Sequence, residues 1–172
     1  MKRRGFTVVE LIITITIMGI LLTLAVVNLS STQANARDAE RASDVQSIAN
    51  HLEIFYKNGS TASASTSVGR YPSIELLATG ETSVKAFLPD IDALSATAPD
   101  SSTVADSFIP ATNSTQTEAG VLPQPTKSQY VYQPIKTDGT LCTTEAEECR
   151  KFVIYYRLEV TDTVKKLMSK NQ

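Results

Sequence analysis

Glu10 is the one charged side chain in residues 6–27, FTVVELIITITIMGILLTLAVV. A carboxylate near hydrocarbon costs about 2.5–3.5 kcal/mol on insertion scales, so it must reach solvent or find a cation. From within two turns of the helix start, Glu10 could reach headgroups; alternatively, it waits for a positive partner. Cys142 and Cys149 are the only cysteines. In an oxidising compartment they would close a short loop as a disulfide. A two-ligand metal site is the alternative, but no His or third Cys lies near, so the disulfide is expected. His51 is the sole histidine and falls on the polar side of a helical pattern, where solvation is its expected role. A triad or a His-based metal centre would need it, and neither a nucleophile elbow nor a glycine-rich phosphate loop is present. No enzymatic activity is expected. Asp90, Asp92, Asp100 and Asp106 could offer oxygen ligands to calcium, but their spacing is not an EF-hand loop. Acidic loop residues are more often solvated, so no cofactor is expected and calcium stays the lesser alternative. Asn58-Gly59-Ser60 and Asn113-Ser114-Thr115 fit a glycan-acceptor pattern.

The elements that position these residues begin with the apolar run. As a helix, residues 6–27 would be about 33 Å long, enough to cross a hydrocarbon core of ~30 Å. Its Thr residues do not argue against a membrane, because their hydroxyls can bond back to the helix. Lys2, Arg3 and Arg4 precede the run, and no basic residue follows it until Arg37. Positive charge stays cytoplasmic, so the C-terminal part should be translocated. A secretory signal peptide has the same charged start, but this run is longer than a usual signal core and passes straight into another helical pattern. With 16 basic against 18 acidic side chains, there is no basic field for nucleic acid, and no specific nucleic-acid partner is predicted.

From Gln33 to Lys57 no proline or glycine interrupts the chain, and Ala42, Val45, Ile48, Ala49, Leu52, Phe55 and Tyr56 recur at helical spacing. Arg37, Asp38, Glu40, Arg41, Asp44, Gln46, Ser47 and His51 are assigned to the polar side. Asn58-Gly59 is the expected stop. Residues 60–67 read as a loop, residues 73–78 as a short helix, and residues 95–126 as long surface loops. Residues 129–135 and 150–160 alternate as strands, the first with its end at an edge because of Pro134. The cysteine loop joins them into an antiparallel pair. Residues 162–172 are expected to form a short helix or a frayed end. The expected fold class is α+β, a long helical spine packed on a small antiparallel sheet with long loops. The expected divisions are a leader (1–5), a transmembrane helix (6–29), the amphipathic second half of the spine (30–58) and an extracytoplasmic head (59–172).

The basic leader, Gly5 and the run from Phe6 together resemble the N-terminal signature of type IV pilins and the related pseudopilins of type II secretion. The match is specific over roughly the first 30 residues. The segment ARDAERASDVQSIANHLEIFYKNGS followed by Tyr71-Pro72 looks like the spine and post-spine turn of the same family. The resemblance implies that a prepilin peptidase cuts between Gly5 and Phe6 and methylates the new amine of Phe6. It places the family's glutamate on Glu10 and its helix glycine on Gly19. Where many pilins carry a helix-disrupting proline, this chain has Val27.

The resemblance further implies a single-pass precursor in the cytoplasmic (inner) membrane, with its N-terminus inside. From there an inner-membrane assembly platform would build it into an extracellular surface filament, a homopolymer joined through the N-terminal helices. Glu10 would pair with a neighbouring subunit's Phe6 ammonium, which exists only after cleavage. Such a pair is favourable only when both charges are present. Gly19 would let neighbouring helices approach closely, or is simply tolerated. A pseudopilin of a secretion or DNA-uptake machine is the nearest alternative. The rival of another class is a membrane-tethered adhesin or binding module that never polymerises.

Overall fold

The computed structural model of the chain describes residues 7–59, 68–77, 84, 88, 91 and 95–171, residues 25–28 for their backbone alone. Its first element, α1, runs without a break over Val8–Asn58, 51 residues or about 77 Å. Thr7 caps the start, accepting a hydrogen bond from the Glu10 amide, while the Glu10 carboxylate accepts from the Thr7 amide. This capping box satisfies two donors that a helix start leaves without partners. The expected stop is observed: Gly59 sits at φ 75°, a region open to glycine, and its N–H bonds the Phe55 carbonyl at 2.7 Å. The backbone stays helical through Val27.

The remaining described elements are α2 (Ile74–Leu77), α3 (Val104–Ser107), β1 (Phe108–Pro110), β2 (Tyr130–Lys136), β3 (Cys149–Arg157) and β4 (Val164–Met168). The strands form one sheet in the order β1-β2-β3-β4. The long-helix, small-sheet architecture is the one expected, with β2 and β3 antiparallel. Two details differ. The sheet is mixed, because β1, inside the stretch read as surface loops, pairs parallel to β2. Three residues ending in proline give no alternation to read. The C-terminal segment is neither helix nor frayed end but the antiparallel edge strand β4. Its Lys165 and Lys166 are the kind of charge that protects sheet edges, so the strand reads as polar tail. β2 is an inner strand whose Pro134 end runs past β1, in keeping with the edge position expected for that end. Pro134 is tolerated because β1 reaches only as far as Tyr132; beyond it, the Pro134 carbonyl accepts from the Cys142 amide.

Both faces of the sheet are covered. One packs on α1, where Val45, Ile48, Ala49, Leu52 and Phe55 meet Tyr130, Tyr132, Phe152 and Ile154. On the other, Val131, Val153 and Tyr155 pack with Ala111 and Val121. Gln133 anchors this outer layer: its amide donates to the carbonyls of Asn113 (2.6 Å) and Thr115 (3.2 Å), and its oxygen accepts from the Tyr155 hydroxyl. A strand buried on both sides shows near-continuous apolar character, as YVYQPI does. Cys142 and Cys149 form a disulfide that clamps the β2–β3 connection. Within that loop the Glu147 carboxylate binds Lys136 and accepts from the amides of Thr143 and Thr144.

Candidate assembly helix and its junction with the head

Among the described residues, nothing covers the first half of α1. Twelve large apolar side chains between Val8 and Leu24 are 52–74% exposed. An 18-residue window of this helix has mean hydropathy 2.4, and none of that window is buried. Exposed apolar surface costs roughly 25 cal/mol per Å² in water, so the segment belongs in lipid or against other helices. Its polar atoms suit either setting. The hydroxyls of Thr14, Thr16 and Thr23 donate to the carbonyls of Leu11, Ile12 and Ile20 at 2.7–2.8 Å. Among the described residues, Glu10 meets no cation; its carboxylate turns back on Thr7, accepting from the amide at 3.2 Å and the hydroxyl at 3.1 Å. A side chain built at Gly19 would meet nothing within 4 Å, so packing within the subunit does not require this glycine. Gly5 and Phe6 lie outside the described residues.

Below this segment charged side chains of the helix meet the head at three described places. At the first, Arg37 grips Glu159 in a fork, Nε to Oε2 at 2.8 Å and Nη2 to Oε1 at 2.6 Å. Asp38 accepts from the backbone amides of Glu159 and Val160, and Arg41, fully buried, reaches Asp38 at 2.9 Å and the Lys127 carbonyl at 2.7 Å. The Arg37 guanidinium holds the Glu159 carboxyl down at about 2, well below the usual range. At the second, Asp44 is buried and accepts from the Tyr130 hydroxyl at 2.9 Å. Burial pushes its carboxyl up to about 6; the Tyr130 bond opposes that rise and the Glu40 charge adds to it. At the third, the Glu53 carboxylate accepts from the Tyr71 hydroxyl, the Lys170 amide and the Asn171 side chain, tying the end of the chain to the spine.

These contacts correct the assignment of Arg41 and Asp44 to the solvated side of the helix. The sequence did contain a signal: counting back from Val45 and Ile48 by one turn lands on Arg41 and Asp44, and by two turns from Val45 on Asp38. The buried stripe therefore continues, with charge replacing hydrocarbon where the sheet offers polar partners. Ala42, placed on the apolar face by its type, is exposed. Arg41 pairs with Asp38 one helical turn away, whereas Arg37 is balanced mainly from across the fold by Glu159, a partner that helical spacing cannot reveal.

The other candidate residues are not brought together into a site. Asp100 approaches Arg37 and Arg41 at 3.6 and 3.8 Å, and Asp106 binds the Thr103 hydroxyl. Asp90 and Asp92 lie outside the described residues. Among the described residues, no group of three His, Cys, Asp or Glu could hold a metal ion. His51 is half-buried, with Nδ1 at 2.8 Å from the Ser47 carbonyl. Asn113, one of the two candidate glycan acceptors, has its side chain engaged by Gly120 and Leu122.

Residues 1–26 match the prokaryotic N-terminal methylation motif. This is the signature of type IV pilin and pseudopilin precursors, so the chain carries the prepilin motif on a helix apolar enough to span a membrane. No curated protein and no solved structure matches the chain.

Proposed function

We propose that this protein is the structural, non-enzymatic subunit of a type IV pilus-like filament. It would be made as an inner-membrane precursor, cleaved after Gly5, methylated on Phe6 and polymerised through α1 by a membrane assembly platform. The observation that supports this most is the helix itself. Beneath a prepilin motif stand nearly five turns of apolar surface, Val8 to Leu24, that no described part of the head covers, while the second half of the same helix is fastened to the head by apolar packing and polar contacts. A tethered binding module needs only an anchor. A rigid rod, greasy all round at one end and one-sided at the other, suits subunits stacked helix against helix with heads outward. Residues 1–5 are then the leader, 6–29 the filament core, 30–58 the spine under the head, and 59–172 the head.

Cleavage supplies the missing partner for Glu10. It creates an ammonium on Phe6 and removes Lys2, Arg3 and Arg4, leaving 13 basic side chains against 18 acidic and loosening the hold of the cytoplasmic leaflet. An ammonium from a neighbouring subunit can compete with the Thr7 donors, because a buried charge pair is strong only when both members are present. Assembly is thereby tied to processing, and the axial step between subunits is set. Gly19, free of packing within its own chain, is available for close approach by a neighbouring helix. Glu10→Ala should leave membrane insertion intact and sharply lower the yield of sheared filaments. Wild-type filament yield from that variant would remove Glu10 from the mechanism.

A further inference from the structure

Charge on the second half of α1 is turned inward. Seven charged side chains lie between Ser30 and Asn58. Arg41, Asp44 and Glu53 are buried, Arg37 and Asp38 are half-buried against the β3–β4 turn, and only Glu40 and Lys57 are exposed. A helix whose far side meets water ordinarily carries its charge there. The head takes these charges in imperfectly: among the described residues, Arg41 Nη2 is buried without a hydrogen-bond acceptor.

What faces outward instead is Ala36, Ala39, Ser43, Gln46, Asn50 and Ile54, all exposed. At 3.6 residues per turn they fall within an arc of about 80°, opposite Val45, Ile48 and Leu52. Glu40 lies beside this stripe and Lys57 past its end, so no charge interrupts it. Its polar members are neutral, and two of them bond each other, Gln46 Nε2 to Asn50 Oδ1 at 3.2 Å. Covering such a face costs far less than covering ions.

The chain itself holds a partner that fits. Val8–Leu24 is apolar all round and about 24 Å long; the stripe from Ala36 to Ile54 is about 27 Å. Ala36, Ala39 and Ser43 keep the surface low, and small residues let apolar helices approach closely. Stripe and apolar segment belong to one unbroken helix, so parallel copies stacked along an axis bring the segment of one past the stripe of another.

We propose that this outward stripe seats the apolar first half of α1 from another copy of the chain. The proposal rests on the filament reading and gives that filament a second helix contact. Matching the midpoints, near Thr16 and Val45, offsets the two copies by about 43 Å along the axis. Neutrality of the stripe is then what the inward-turned charges secure.

The test is thiol cross-linking of the full chain on intact cells, with a bismaleimide that ignores the oxidised native cysteines. Ser43→Cys is combined in one chain with Ile12→Cys, Ile13→Cys or Ile15→Cys, three sides of the helix at the matching height. At least one pair should give a ladder of linked subunits in sheared filaments, and Ser43→Cys alone should not. Ala39→Glu, at an exposed position, should lower filament yield about tenfold by placing a charge against hydrocarbon, with unchanged thermal unfolding in detergent. Filaments at normal yield with no ladder from any pair, or a normal yield from Ala39→Glu, would overturn the inference and leave the filament reading standing. Dimers from Ser43→Cys alone would mean that the stripe meets its own counterpart, and would overturn the occupant proposed. A wild-type chain that yields no sheared filaments would sink the filament reading, and this inference with it.

Discussion

Replacing Asp44 with Asn should stabilise the head at neutral pH and lose that advantage in acid. Asp44 is buried between α1 and β2, with the Tyr130 hydroxyl at 2.9 Å, and burial lifts its carboxyl to about 6 from an ordinary value of 3.8. The folded state thus binds the proton more tightly than the unfolded chain. Stability falls as pH rises from about 4 to about 6, and above that the folded state bears the full cost of the buried charge. Two units correspond to an upper limit of ~3 kcal/mol. Asn keeps an oxygen for Tyr130 but buries an amide N–H, which takes back about 1–2 kcal/mol. The expected gain is therefore ~1–2 kcal/mol at pH 7, reversing near pH 4 to a deficit of about 1 kcal/mol, because Asp44 is then neutral in the folded state while the amide cost remains. Urea unfolding of the oxidised chain truncated before Ser30 measures it, since the described apolar side chains from Val8 to Leu24 are exposed. An Asn variant no more stable than wild type at pH 7, or one with an equal offset at both pH values, would refute the reasoning.

Glu159 predicts the opposite dependence. Its carboxyl is held at about 2 by Arg37, so its contribution is present above about 4.5 and lost as pH falls toward 2; Glu159→Gln should destabilise at neutral pH and flatten the acid limb of the same titration. Cys142→Ser opens a loop of sequence separation seven, which in the chain-entropy model costs ~2.5 kcal/mol; an unchanged unfolding midpoint under oxidising conditions would argue that the bridge contributes nothing.

The spine and the central hairpin were legible because their signals are local. Helical periodicity at Val45, Ile48, Leu52 and Phe55, a glycine stop, and alternation in RKFVIYY each depend on near neighbours in sequence. What escaped is non-local. β1 is a strand only because Phe108–Pro110 pairs with Tyr130–Tyr132, twenty-two positions away, and β4 is one only because it lies along β3. Arg41 and Asp44 looked like solvated charges because residue type was weighed above angular position. Their burial depends on Lys127, Tyr130 and Glu159, which the sheet brings to the helix. Glu10 and Gly19 stood out for the reverse reason: one is a charge in an apolar run, the other a glycine in a helix; within the subunit Glu10 meets the Thr7 cap, and Gly19 has no packing that requires it.

Filament assembly depends on one event at the N-terminus, and intact mass with N-terminal sequencing of protein sheared from the cell surface tests it most directly. A chain beginning at Phe6 with one added methyl is predicted. A chain beginning at Met1, or beyond Ser30, would contradict the filament mechanism and leave a tethered or secreted binding domain in its place.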